Sequence, residues 1–376
     1  MSLALGIDLG TSSIKVAIVD GVTCLAHATA PSSEMLITSP EPGWAEQEPD
    51  VWWKHVCEAV ISLPSELRAQ ISSIGITYQM HGLVLVDQSH RSLRPAIIWC
   101  DSRAVAYGDR AFARLGADYC ATHLLNSPGN FTASKLAWIS DKEPSCYQQA
   151  KWALLPGDYL ALRLTGEAST TQTGLSEMIL WDFAKETLAD AVLTAMDLNP
   201  NLFPPARTSF EGKETLSDSV ATQLGLNPSA TVTYRAGDQP NNAFALGVMQ
   251  PGEVAANGGT SGVIYAITDQ VSADESFRVN SFLHVNHTPD DKRIGVLMCL
   301  NGCGAMIRWL RDILFGAEAG YGGFDSGAER GSSGAVKVYP FGNGAERILS
   351  NSNPGASLVG LDFSRHSRQD LCRGAI

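Results

Sequence analysis

Positive charge is scarce in this sequence. Its 27 Lys and Arg stand against 39 Asp and Glu, for a formal net charge of −12. A broad nucleic-acid or anionic-membrane footprint is thereby excluded, and an anionic ligand has to be held by local backbone donors or by a metal. No apolar run approaches the length that spans a bilayer, and the N-terminus lacks the basic segment and long apolar core of a signal peptide. The eight cysteines form no Cys-x-x-Cys and no paired spacing of a zinc site, which points to reduced thiols in a cytoplasmic protein. Also missing are a Gly-x-x-x-x-Gly-Lys-Ser/Thr P-loop and a Gly-x-Gly-x-x-Gly opening a helix.

What is present is a chain of 376 residues with 44% hydrophobic and 18% charged side chains, long enough for two domains of α/β type. Short apolar stretches at 3–9, 14–19 and 24–28 predict an antiparallel meander. Ile14, Val16 and Ile18 fall on one face, as a half-buried strand requires. The spacing of Trp52, Val56, Ala59, Val60 and Leu63 predicts a helix with Asp50 as its cap. Strands are expected at 71–77, 83–86, 231–236, 254–267, 281–287 and 294–299. Residues 100–225 read as mostly helical, and a further helix is expected over 304–314.

One internal repeat outweighs these assignments. Gly10-Thr-Ser-Ser-Ile-Lys-Val-Ala-Ile-Val-Asp20 aligns with Gly259-Thr-Ser-Gly-Val-Ile-Tyr-Ala-Ile-Thr-Asp269 at a constant offset, with six of eleven positions identical. A duplicated strand–turn–strand implies two lobes, each with one turn rich in Gly, Thr and Ser. Such a turn exposes backbone N–H groups and hydroxyls that can cradle phosphate oxygens without net positive charge. The same turn can equally be a plain hairpin. Gly10, Thr11, Gly259 and Thr260 are the candidate phosphate contacts.

Acidic and polar residues cluster at strand ends. Asp8, just before the first turn, is placed either to cap it or to hold Mg²⁺ through water, since Mg²⁺ keeps much of its hydration shell. Asp238, in Gly237-Asp238-Gln-Pro-Asn-Asn242, comes after another strand. It is either an Asx turn or a base that accepts a hydroxyl proton during phosphoryl transfer. Tyr78-Gln-Met-His-Gly82 lies at the end of a third strand; Gln79 and His81, with Asp101 and Arg103 nearby in sequence, supply the mixed donors and acceptors a polyol needs, or the His, alone at a strand end, is structural.

These residues together resemble the FGGY carbohydrate kinases, and within them the xylulose kinase branch. The resemblance runs through Gly6-Ile-Asp-Leu-Gly-Thr-Ser-Ser12, Trp44-Ala-Glu-Gln-Glu-Pro49, Gln79-Met-His-Gly82, Phe131-Thr-Ala-Ser-Lys135, Leu154-Leu-Pro-Gly-Asp158, Gly237-Asp238 and Gly259-Thr-Ser-Gly262. It implies a two-lobed, actin-like ATPase fold of ribonuclease-H type with a central cleft. The N-terminal lobe would cover residues 1–245 and carry the sugar site; a partial C-terminal lobe, 246–376, would lie on the nucleotide side. It further implies ATP and Mg²⁺ as cofactors and D-xylulose or a related small sugar as substrate. Asp238 would be the catalytic base, Met80, His81, Asp238 and Gln239 the sugar contacts, Gly259 and Thr260 ATP-phosphate contacts, and Asp8 the metal ligand. Neither nucleic acid nor membrane is an expected partner, and a homodimer is compatible with the resemblance. In place of the family's Gly-Asp-Asn this chain has Gly-Asp-Gln, so Gln239 would replace one sugar contact. The family continues beyond Ile376, and its late Gly-Gly motif, which helps hold adenosine, has no counterpart here. The competing readings are a kinase for ribulose, gluconate or glycerol, and a non-catalytic sugar-binding member. Retention of both Asp8 and Asp238 argues against the latter.

Overall fold

The computed structural model describes residues 3–259, 261–274, 277–316, 318–332, 334, 336–344, 346–350 and 352–376. The chain divides into two compact units. The first comprises Met1–Pro251, Ile267–Ala273 and Ser281–Gly295; the second comprises Gly252–Ala266, Asp274–Asn280 and Val296–Ile376. No described helix is long and apolar enough to cross a membrane.

The first unit is built on one sheet. Its strands are β1 (Leu3–Leu9), β2 (Ile14–Asp20), β3 (Thr23–Ala30), β4 (Ile71–Tyr78), β5 (Glu214–Thr215) and β6 (Thr231–Gly237), in the spatial order β5-β6-β4-β1-β2-β3. The predicted meander is observed: β1 pairs antiparallel with β2, and β2 with β3. Strands β4 and β6 then join on the other side of β1, and both pairings are parallel. Alternation sets the pleat, burying Leu3, Leu5, Ile7 and Leu9 on β1 and Ile14, Val16 and Ile18 on β2.

Helix α1 (Pro49–Ile61) buries Trp52, Val56, Ala59 and Val60, the expected face. Its cap differs from expectation. The N-cap is Glu48 with no side-chain bond, and Asp50 lies inside the first turn. Pro49 at the first helical position has no N–H to satisfy, so the Asp50 carboxylate turns outward instead. It accepts from Tyr159 Oη at 2.9 Å and pairs with Arg163 at 2.5 Å. Three further helices matter for the site: α2 (Thr132–Lys142), α3 (Pro156–Thr165) and α4 (Gln172–Glu177). Helix α5 (Asp238–Ala245) starts immediately after β6, where the sequence predicted only a loop.

Strands β7 (Val254–Gly258) and β8 (Gly262–Thr268) form an antiparallel hairpin that belongs to the second unit up to Ala266, and β9 (Ile294–Leu300), of that unit from Val296 on, is next to β8 in the same sheet. Helices α6 (Cys303–Phe315), α7 (Gly322–Arg330) and α8 (Arg368–Gly374) come after them in the chain. Leu310, Phe324, Ala328 and Cys372 form their common core. Helix α8 opens on a capping box in which Ser367 and Asp370 satisfy each other's backbone N–H groups. Each copy of the internal repeat is thus the turn of an antiparallel hairpin, β1–β2 in one unit and β7–β8 in the other.

Candidate active site

Three parallel strands end together. Leu9 of β1 is level with Tyr78 of β4, and Tyr78 is level with Gly237 of β6. The segments leaving these strands therefore meet at one edge of the sheet: Gly10-Thr11 from β1, Gln79–His81 from β4, Asp238 from β6. The carboxyl ends of parallel strands are the usual ligand crevice of such sheets. Gln79 N–H donates to Leu9 O at 2.8 Å, and Gln79 Oε1 accepts from Thr11 Oγ1 at 3.3 Å. Gln47 binds both neighbours, through Thr11 O at 2.8 Å and Gln79 Nε2 at 2.9 Å.

Asp238 begins α5, with Gly237 as the N-cap. A Cβ on Gly237 would lie 2.5 Å from Met80 Cγ and 2.9 Å from Glu177 Oε2. Only glycine lets the end of β6 approach Met80 this closely, and Asp238 is the next residue of the chain. Burial pushes the Asp238 carboxyl up to about 6; hydrogen bonds from Gln239 oppose this, and the negative charge of Asp8 adds to it. Asp8 is itself raised by burial, with Lys15, its register partner on β2, pulling the other way.

Of the residues predicted from sequence, Asp8, Gly10, Thr11, Met80, His81, Asp238 and Gln239 lie at this edge of the first unit. Gly259 belongs to the second unit, at the β7–β8 turn, and Thr260 lies outside the described residues. The backbone N–H groups of Gly10 and Gly259 are taken up inside their own turns, on Ser13 O at 3.1 Å and Ser261 O at 2.9 Å. Asp101 and Arg103 correct the sequence reading. Their side chains are fully buried and joined by a bidentate pair, with Arg103 Nη1 also 2.7 Å from Glu46 and its guanidinium 3.8 Å over the Trp44 ring. An arginine so bound anchors the loop and has no face left for a polyol.

The structure adds residues the sequence did not single out. Glu177 and Lys135 are buried beside His81. Trp99, 54% exposed, donates its indole N–H to Thr11 Oγ1 at 3.0 Å. For Lys135 the Phe-Thr-Ala-Ser-Lys motif carried a signal, whereas Glu177 had none. In the second unit, a cavity of about 640 Å³ is lined by Gly258, Gly259, Met306, Arg308 and Tyr321 among others. A Cβ at Gly258 would meet nothing within 4 Å.

The fold is of the actin-like ATPase class. The sequence pattern of the FGGY family of carbohydrate kinases, N-terminal domain, matches residues 3–245, and the chain belongs to that family. It is 36% identical to the xylulose kinase of Escherichia coli over 74% of this chain and 57% of that protein. With the xylulose kinase of Bacillus subtilis the figures are 28%, 99% and 74%. The chain thus spans little more than half the length of the first of these relatives. Among solved structures, a Brucella ovis protein described as a xyloylose kinase superposes with a TM-score of 0.87 at 28% identity, covering 99% of this chain and 76% of that one. The Plasmodium falciparum glycerol kinase with ADP, at 18% identity and a TM-score of 0.88 over 100% and 76%, shares the fold.

Proposed function

We propose that the protein of which this chain is part phosphorylates a ketose with ATP, and that the ketose is D-xylulose, giving D-xylulose 5-phosphate. The observation that carries this reading is the common end of β4 and β6, Tyr78 level with Gly237, so that the segments carrying Met80-His81 and Asp238 leave the sheet side by side. A half-buried carboxyl with a raised pKa at the end of a strand, beside a segment with hydrogen-bonding side chains, is what proton abstraction from a polyol asks for. Similarity to named xylulose kinases supports the choice of sugar.

In this reading Asp238 accepts the proton of the terminal sugar hydroxyl as its oxygen becomes the nucleophile. Gln239 holds the carboxylate in place through its backbone and side-chain N–H groups. Met80 and His81 hold the sugar so that one hydroxyl points at Asp238. When bound, ATP with Mg²⁺ would supply the phosphoryl group, its charge partly neutralised by the metal. Among the described residues no group of three His, Cys, Asp or Glu side chains could enclose a cation. Asp8 therefore fits Mg²⁺ only as a mostly hydrated ion touched by one carboxylate. The open space at Gly258 suits the close approach of a phosphate chain.

The test is ADP release from ATP with and without D-xylulose, followed by a panel of ribulose, glycerol and gluconate. D-Xylulose should give the highest kcat/KM. A different winner would overturn the sugar assignment, and no sugar-dependent ADP release would overturn the kinase.

A further inference from the structure

His81 is held more tightly than a sugar contact at the end of a strand requires. Its backbone lies in the left-handed region, at φ 60°, which a non-glycine residue adopts only when its surroundings hold it there. The next residue, Gly82, admits no side chain, since a Cβ would sit 2.6 Å from Pro156 Cγ. The chain turns sharply here, and two buried ionisable side chains grip the turn from opposite sides. From the last residue of α4, Glu177 Oε1 accepts the His81 N–H at 3.0 Å. From α2, Lys135 Nζ donates to His81 O at 2.6 Å and to Ile98 O at 3.1 Å. The ring is fixed as well. Its Nδ1 lies 3.2 Å from Glu177 O, and a carbonyl only accepts, so Nδ1 carries the proton and Nε2 is the acceptor of the neutral ring. Phe131 and Phe282 pack against the ring, with centroids at 4.8 and 5.3 Å.

The geometry points to a clamp in which Glu177 and Lys135 are positioning residues for the sugar site, fixing His81 with Nε2 as the acceptor for a sugar hydroxyl. The inference rests on the reading that His81 meets the sugar. Burying an acid and a base is costly, and apolar side chains of similar size would stabilise the core at least as well. Burial drives the Glu177 carboxyl well above its usual range and the Lys135 ammonium down to about 7. What the pair supplies that apolar groups cannot is a donor and an acceptor aimed at one residue's backbone. The other carboxyl oxygen, Glu177 Oε2, accepts from Tyr78 Oη at 3.3 Å and lies against Gly237, so one side chain sets the spacing between His81 and Asp238.

The test combines D-xylulose calorimetry with ¹⁵N NMR of the His81 ring, in the parent protein and in Glu177→Gln, Glu177→Leu, Lys135→Met and His81→Ala. The parent ring should show the proton on Nδ1. Glu177→Leu and Lys135→Met should weaken sugar binding by about tenfold or more, leave nucleotide affinity unchanged, and let the ring signals average between tautomers. Glu177→Gln, whose amide oxygen still accepts the His81 N–H, should restore sugar affinity to within about threefold of the parent. Three results would overturn the clamp: a parent ring protonated on Nε2, a Gln variant as impaired as the Leu variant, or variants that lower the melting temperature while sugar affinity and tautomer stay as they were. The first two remain decisive if Glu177→Leu does not fold. His81→Ala separates this inference from the one beneath it. If that variant binds D-xylulose as the parent does, the sugar-site reading fails; if it loses binding while the clamp variants keep theirs, only the clamp fails.

Discussion

In the proposed role Asp238 faces opposite demands in catalysis and in stability, and the two can be separated by pH. Its native pKa of about 6 lies above the ordinary 3.8, so the folded protein holds the proton more tightly than the unfolded chain. The stability this confers is complete below about 3.8 and is lost as pH rises through about 6. A base, by contrast, must be ionised. Sugar-dependent kcat/KM should therefore fall as pH drops below about 6, by about tenfold per unit. Asp238→Asn keeps the shape and cannot ionise. It should lower kcat by about 10² to 10⁴ with little change in D-xylulose affinity. It should also raise stability at about pH 8 by about 2 kcal/mol, allowing for partial exposure, and change it little near pH 4. A variant with kcat within a few-fold of the parent, or one less stable than the parent at pH 8, would show that Asp238 is a structural acid.

At the scale of elements, the features legible in the sequence were those that local periodicity controls. The strands β1, β2 and β4 and helix α1 result from alternation and helical spacing, because each buries one face on the same core. Helix α5 was not legible, because Gly-Asp-Gln-Pro reads as a turn. Pro240 is nevertheless the third residue of α5, where backbone N–H groups have no helical partner to lose. Glu177 was invisible, and Lys135 legible only as part of a motif, for a different reason: they meet His81 across 96 and 54 residues of chain, and no local pattern encodes such a contact. Arg103 looked available and is not, since Trp44 and Glu46 close over it only in the fold.

The packing of α3 on β4 gives this scale its own test. A Cβ on Gly157 would lie 2.0 Å from Cδ1 and 2.5 Å from Cε1 of Tyr78. Tyr78 is fully buried and its hydroxyl is tied to Glu177, so the ring cannot rotate away. Gly157→Ala should destabilise the protein by about 3 kcal/mol and weaken D-xylulose binding, because Tyr78 leads directly into Gln79–His81. Urea unfolding measures the first effect and calorimetry the second; an unchanged midpoint would mean the helix shifts to accommodate the methyl group.

On the scale of the whole molecule, the repeated Gly-Thr-Ser window was the deepest feature readable from sequence, since both copies fold into hairpin turns. Their details diverge: four residues separate the paired strands in the first turn, and three in the second. The two units also differ in what they contain. The first holds every described candidate for the sugar and the base, whereas the second holds its own core around Leu310, Phe324, Ala328 and Cys372. A ligand stabilises what it binds by RT ln(1 + [L]/Kd), about 2.7 kcal/mol at 100 Kd. D-Xylulose at that excess should raise the unfolding transition of the first unit. Phe324→Ala, which opens a cavity in the other core and costs about 3 to 5 kcal/mol there, should lower the transition of the second unit and leave D-xylulose affinity as it was. Calorimetric scans of the parent and of Phe324→Ala, each with and without the sugar, distinguish the cases. If the sugar raises the Phe324-sensitive transition as much as the other, or if Phe324→Ala weakens sugar binding, the sugar site does not belong to the first unit alone.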